Sequence, residues 1–158
     1  MNITEILLFA IVINLGIALG AGLYEMRIVL PLWFPKNENG NYRVDFNAMH
    51  QIDTGRKFWA FVTTIPLTLL TIASLIFSFQ SKAPLYSWWI SGSFILLIER
   101  IGTITFFIPT AIKLQKGRNL SVSKISSLVL LWMRLNYIRN ALTLVTLLIF
   151  LKALIAKG

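Results

Sequence analysis

The sequence predicts an all-α fold: a transmembrane four-helix bundle formed by one domain, residues 1–158. Hydrophobic residues make up 56% of the chain and charged residues 13%, whereas soluble domains average about 45–50% and about 25%. Four apolar segments each reach the roughly 20 residues that cross a bilayer core of about 30 Å. Because lipid offers the backbone no hydrogen-bond partners, such segments form helices.

The four segments are bounded by residues that start or end helices. They cover residues 5–29, 58–79, 86–112 and 127–152, and residues 32–55 form a long first connection. Asn2 and Glu5 fit the capping pattern of a helix start. Pro31 follows the first segment, Pro84 lies in the short second link, and Gly117 lies in the basic third link.

The distribution of basic residues predicts the orientation in the membrane. Eight lysines and arginines lie in the first and third connections: Lys36, Arg43, Arg56, Lys57, Lys113, Lys116, Arg118 and Lys124. Three lie on the opposite side: Lys82, Lys152 and Lys157. Because cytoplasmic loops are rich in Lys and Arg, we expect a multi-pass cell-membrane protein with both termini outside. The net charge of +9 flanks apolar runs, which indicates membrane lipids as partners and not nucleic acid.

Charged side chains interrupt the third apolar segment at Glu99 and Arg100. Two central charges cost roughly 6 kcal/mol on insertion, about what the Leu, Ile and Phe residues of the segment return. We therefore expect this helix to need partners in other helices. Adjacent helix positions point about 100° apart, so we also expect at least one of the two charges to pair elsewhere.

Polar residues also recur at helical spacing in the other segments. One face of the fourth helix carries Trp132, Asn136, Arg139, Asn140 and Thr143, and one stripe of the first carries Asn14, Ala18, Ala21 and Glu25. Gly16 and Gly20 form a GxxxG pair, which predicts close helix packing. Pro66 leaves the carbonyl of Val62 without its usual donor.

These faces predict one polar pocket inside the bundle, open beneath the long first connection. The candidate catalytic residues are Glu99, Glu25 and Arg139. The candidate ligand-binding residues are Tyr24, Arg100, Asn136, Asn140, Trp132, Trp59, Trp33 and His50. His50 has two interpretations, a solvated loop residue or a lid residue that reaches the pocket. The competing hypothesis for the charges is that they only fix the register of the helices.

The residue types in this pocket favour an oxygen-bearing ligand. The chain has no cysteine, and its single histidine lies outside the apolar segments, so neither haem ligation nor any other cofactor is predicted. The arginines oppose a cation between Glu25 and Glu99, so no metal is predicted. Arginine and asparagine suit an enolate, phenolate, carboxylate or quinone-like carbonyl.

Short motifs in all four helices carry a family resemblance. They are Gly20–Glu25 with Val29–Trp33, Arg56–Trp59 with Pro66, Thr105–Pro109, and Trp132, Asn136 and Arg139. They resemble the anthrone-oxygenase-like family of small four-helix membrane proteins, over most of the chain. The resemblance implies pocket residues at the matching positions Tyr24, Glu25, Trp33, Trp59, Asn136 and Arg139. It also implies, from the fungal members, a cofactor-independent oxidation of anthrones to anthraquinones.

Three functional hypotheses follow. The first is a protein, or accessory subunit, that binds a lipid, quinone or other small aromatic ligand without catalysis. The second is an oxygenase in which Arg139 and Asn136 stabilise an enolate while Glu25 or Glu99 takes the proton. The third is a small transporter, which the lack of an internal repeat disfavours unless the protein forms a homo-oligomer.

Overall fold

The computed structural model describes residues 2–82, 85–116 and 120–157. In these ranges the chain is predominantly helical, and extended pairing is limited to one isolated bridge between Lys36 and Tyr42. The sequence predictions for Pro84, Gly117 and Arg118 lie outside the described residues. The all-α prediction is confirmed.

Five helices follow one another in the described part of the chain. They are α1 (Ile3–Trp33), the short α2 (Phe46–Ile52), α3 (Gly55–Ser78), α4 (Leu85–Lys116) and α5 (Val122–Lys157). The four long ones are long and apolar enough to cross a membrane. The protein is therefore a multi-pass membrane protein with four spanning helices.

The helices extend past most of the predicted ends, because apolar runs mark the part of a helix in hydrocarbon and not its caps. At the start of α1, the Asn2 side chain accepts from the Glu5 backbone, and the Glu5 side chain accepts from the Asn2 backbone. Pro31 was predicted to follow the first helix and instead lies inside it, near its end at Trp33. The predicted connection 32–55 is thus shorter and contains α2.

The long helices pack as a closed square in the order α1, α3, α4, α5. One end of this bundle carries the connection 34–54 and is called here the long-connection end; the other carries Asn2 and is called the far end. Each end has its own apolar core, centred on Trp89 and Phe150 at the far end and on Trp33 and Trp132 at the long-connection end. Polar side chains occupy the level between the two cores.

Three stretches wind as π-helix: Glu25–Val29 in α1, Gly55–Thr64 in α3 and Thr103–Phe107 in α4. Pro66 follows the second stretch closely, and Pro109 follows the third. The carbonyl of Val62, which loses its usual donor to Pro66, accepts a hydrogen bond of 2.9 Å from Asn14 Nδ2. Wide turns of this kind are frequent at functional sites.

The predicted packing role of Gly16 and Gly20 is wrong within the bundle, since a Cβ at either position would meet open space. Close helix approach occurs instead at Gly22, where a Cβ would collide with Asn140 Oδ1, and at Gly92, where it would press on Ile149 and Phe150. The periodicity places the glycines on a face but does not decide which face turns inward.

Candidate functional site

A cavity of about 550 Å³ lies between the four long helices in the half of the bundle nearer the long-connection end. All three π-helical stretches contribute to its wall, together with the chain around Thr54. A volume of this size is typical of a small-molecule site. Its wall combines aromatic and aliphatic side chains with three carboxylates and three arginines: Glu25, Asp53, Glu99, Arg56, Arg100 and Arg139.

Glu25 is the most connected polar residue of the cavity wall. Its Oε1 accepts hydrogen bonds from Thr54 Oγ1 at 2.9 Å and from Trp59 Nε1 at 2.8 Å. Its Oε2 lies 3.6 Å from Arg139 Nη2. The carboxylate thus joins α1, the start of α3 and α5, and both of its oxygens are engaged.

Arg139 is enclosed by aromatic rings on the other side of this ion pair. Its guanidinium carbon lies 4.7 Å from the ring centre of Phe107 and 5.5 Å from that of Trp59. Such cation–π contacts strengthen where water is excluded. These contacts and the ion pair with Glu25 hold the arginine against the cavity.

Glu99 and Arg100 pair with each other, with Arg100 Nη2 donating to Glu99 Oε1 at 2.6 Å. The expectation that one of them pairs elsewhere is therefore wrong. The angle of about 100° separates the directions of the two Cβ atoms. The arginine side chain is long enough to span this angle, so the directions of the Cβ atoms do not decide which groups pair.

Several buried polar atoms of the wall residues have no hydrogen-bond partner within the described ranges. They are Trp33 Nε1, Glu99 Oε2, Arg100 Nε, Thr103 Oγ1 and Trp132 Nε1. Three are nitrogen donors, one is a hydroxyl and one is a carboxylate acceptor. The set is therefore complementary to a molecule that carries mainly acceptor oxygens and at least one hydroxyl.

Of the eleven sequence-predicted site residues, eight line this cavity. They are Glu25, Trp33, Trp59, Glu99, Arg100, Trp132, Arg139 and Asn140. The helical faces of all four long helices bring them together from positions far apart in the chain.

Three predicted residues do not line the cavity. Tyr24 is 60% exposed on the outer surface, because its neighbour Glu25 takes the inward direction. His50 lies exposed on α2 with Nδ1 2.6 Å from the Phe46 carbonyl, as a solvated residue would. Asn136 is fully buried within the packing of α5, and neither of its amide atoms has a partner among the residues described.

The sequence reasoning missed Thr54, Thr103 and Phe107. Thr103 lies four positions after Glu99 on α4. The helical periodicity that placed the polar residues of α5 on one face also places Thr103 on the same face as Glu99. Phe107 continues this face by a further four positions. Thr54 carried no such signal, since it precedes a helix and its direction depends on how the connection folds.

Comparisons of the chain with family models, with curated proteins and with solved structures find no match.

Proposed function

We propose that this membrane protein binds a lipid-soluble ligand with a ring system and hydrogen-bond-accepting oxygens, of the quinone or phenol type, in the cavity between its helices. The observation that supports this most strongly is a cavity wall that combines three tryptophans with side chains whose buried polar atoms have no partner among the described residues. A buried polar group without a partner costs about 1–3 kcal/mol. A ligand that engages these atoms recovers that free energy.

The aromatic lining supports a flat ligand. Three of the five tryptophans, Trp33, Trp59 and Trp132, line the cavity. Aromatic rings pack favourably against one another in offset or edge-on arrangements. Intramembrane charges such as Glu99 and Arg100 mark functional sites by default, because they are expensive to bury in lipid.

The binding proposal is tested by quenching of the cavity tryptophans with 2-methyl-1,4-naphthoquinone, with the protein in lipid nanodiscs. Ala60→Phe narrows the cavity wall, and Leu69→Phe adds the same ring on the lipid-facing side of the same helix. We expect saturable quenching of the wild type. Ala60→Phe should lower the affinity for the quinone about tenfold, because overpacking costs about 1–3 kcal/mol. Leu69→Phe should leave it unchanged. Non-saturable quenching that is equal in all three proteins would refute the proposal.

A second candidate function is cofactor-independent oxygenation of an anthrone-like phenolic substrate, favoured by Glu99 Oε2, which has no hydrogen-bond partner within the described ranges. Glu99 would take a proton from the methylene carbon, and Arg100 and Arg139 would stabilise the resulting enolate. Dioxygen then takes up the electrons: one oxygen atom becomes the new carbonyl and the other leaves as water. Glu25 is the weaker candidate base, since both of its oxygens are engaged.

Oxygen uptake by the purified protein mixed with an anthrone in air tests this second function. The expected result is uptake in the wild type and its loss in Glu99→Gln, which keeps the size of the side chain. Uptake in the wild type no greater than in Glu99→Gln would exclude Glu99 catalysis while leaving ligand binding in place.

We further propose that the long-connection end faces the cytoplasm. The excess of basic residues in the first and third connections supports this orientation. In this orientation the ligand cavity lies in the cytoplasmic half of the membrane. A fusion reporter at the C-terminus that is active only outside the cytoplasm should be active, and a reporter active only inside should be silent; the reverse pattern would invert the assignment.

A further inference from the structure

The cavity wall changes character along α4. Its deep part carries Glu99, Arg100 and Thr103, and an apolar stretch follows from Phe107 to Ile112. The wall then ends at Gln115 and Lys116 at the long-connection end. At 1.5 Å per residue, the distance from Glu99 to Ile112 is roughly 20 Å. The cavity is therefore an elongated site with a polar chamber at its deep end, an apolar channel leading away from it, and polar side chains again at the long-connection end.

The apolar channel lies where α3 and α4 separate. Toward the far end the two helices are joined by buried hydrogen bonds, with Trp89 Nε1 donating to Ser74 Oγ and the hydroxyls of Ser74 and Ser93 2.6 Å apart. Toward the long-connection end the π-helical stretch Gly55–Thr64 packs on α1, and its packing on α4 is slight. A slot between α3 and α4 results in this half of the bundle.

Three isoleucines on the rim indicate that this slot opens sideways. Ile65 of α3 and Ile108 and Ile112 of α4 all line the cavity, and they are 52%, 40% and 46% exposed. A side chain that faces a cavity and the outer surface together stands at an opening. At the long-connection end α2 packs on α1 and α4 and places the buried Met49 in the cavity wall. The apolar route out of the chamber therefore leads into the surrounding lipid.

We infer that the ligand is an amphiphile with an oxygen-bearing ring head in the polar chamber and a hydrocarbon tail that leaves through the slot between α3 and α4 into the membrane. This inference rests on the proposed ligand binding and adds the shape of the ligand and the side from which it enters. An apolar tail in the slot lies against Ile65, Ile108 and Ile112 and then among lipid chains, so it meets no polar surface. When the ligand has a ring head and no tail, lipid chains fill the slot.

The experiment compares 2-methyl-1,4-naphthoquinone with the same ring bearing a long alkyl chain, by tryptophan quenching in nanodiscs. Ile108→Phe with Ile112→Phe fills the slot, and the matched control Ile101→Phe with Ile104→Phe adds the same rings to the lipid-facing side of α4. The slot variant should weaken binding of the tailed probe about tenfold and leave the tailless probe unchanged. The control should change neither.

The alternative results separate two failures. If the wild type binds neither probe, the proposed function itself fails. If it binds both, and the slot variant weakens both equally or neither, ligand binding stands and the tail route is overturned.

A second measurement does not depend on the folding of a variant. The tailed naphthoquinone with a diazirine at the end of its chain is photolysed in nanodiscs with the wild-type protein, and the adducts are mapped by mass spectrometry. We expect adducts at residues 60–65 and 108–112 that excess unlabelled probe abolishes. Adducts distributed equally over the lipid-facing residues Ile72, Ile101 and Ile104 would overturn the route.

Discussion

At the scale of single residues, the two glutamates of the cavity have different surroundings. Glu25 engages Thr54, Trp59 and Arg139 from three parts of the chain. Glu99 hydrogen-bonds to Arg100, beside it in sequence, and keeps one oxygen without a hydrogen-bond partner in the part of the chain that is described. We therefore assign Glu25 mainly to assembly of the bundle and Glu99 mainly to contact with the ligand.

Glu25→Gln should destabilise the protein by removing the charge opposite Arg139. The amide oxygen can still accept from Thr54 and Trp59, but the arginine keeps a buried charge without its carboxylate. Breaking a buried pair in this way costs on the order of 3 kcal/mol. The free energy of unfolding, measured by titration with dodecyl sulfate in mixed micelles, should fall by about this amount relative to Glu38→Gln, which changes an exposed carboxylate of the connection. Equal stability of the two variants would contradict this role.

Alanine substitutions at two glycines of α1 distinguish the effect of close helix packing on stability from the effect of helix propensity. Gly22→Ala should cost about 1–3 kcal/mol, because its Cβ meets the Asn140 side chain in a filled interface. Gly20→Ala should be neutral or stabilise by up to about 1 kcal/mol, because open space surrounds that position and alanine favours a helix. The same unfolding titration compares them. If Gly20→Ala lowers the free energy of unfolding as much as Gly22→Ala, the pair Gly16 and Gly20 is packed between several copies of the protein.

At the scale of helices, a neighbouring helix supplies the hydrogen bond that a proline removes from the backbone of α3. Pro66 removes a donor, and Asn14 of α1 supplies one to the Val62 carbonyl. The sequence predicted the unsatisfied carbonyl and placed Asn14 on an inward stripe. It did not join the two, because helical periodicity gives directions within one helix and not the level at which two helices meet.

A double-mutant cycle tests this compensation. Asn14→Leu should cost about 1 kcal/mol in the wild type, as for loss of a typical hydrogen bond. In a Pro66→Ala background, alanine supplies the missing backbone N–H, so the cost of Asn14→Leu should fall toward zero. Additive effects in the unfolding titration would show that the two residues act independently.

At the scale of the whole molecule, two apolar cores hold the ends of the bundle, and the polar level between them depends on all four long helices. The cavity exists because three of these helices widen into π-helical turns at this level. The bundle can therefore be firmly packed at the far end and open toward lipid between α3 and α4.

The third long helix illustrates how this polar level depends on the rest of the bundle. We expect the isolated segment Leu85–Lys116 to insert only partly into a membrane, because Glu99 and Arg100 offset its apolar residues. Replacing both with leucine should lower the apparent free energy of insertion by about 6 kcal/mol. A glycosylation-based insertion assay with reconstituted translocon measures this, with Ser87→Leu plus Ser91→Leu as a matched pair in the same helix. Full insertion of the unmodified segment would contradict the expectation.

By itself, the sequence determined the all-α class, the four membrane-spanning helices and eight of the residues that line the cavity, because hydropathy and helical periodicity are local properties. Only the tertiary structure decided which carboxylate meets which arginine, which glycines are closely packed and which side of the bundle is open. These features depend on how far a long side chain such as Arg100 reaches. They also depend on how each helix is rotated about its axis and shifted along it relative to its neighbours. No pattern within a single helix contains that information.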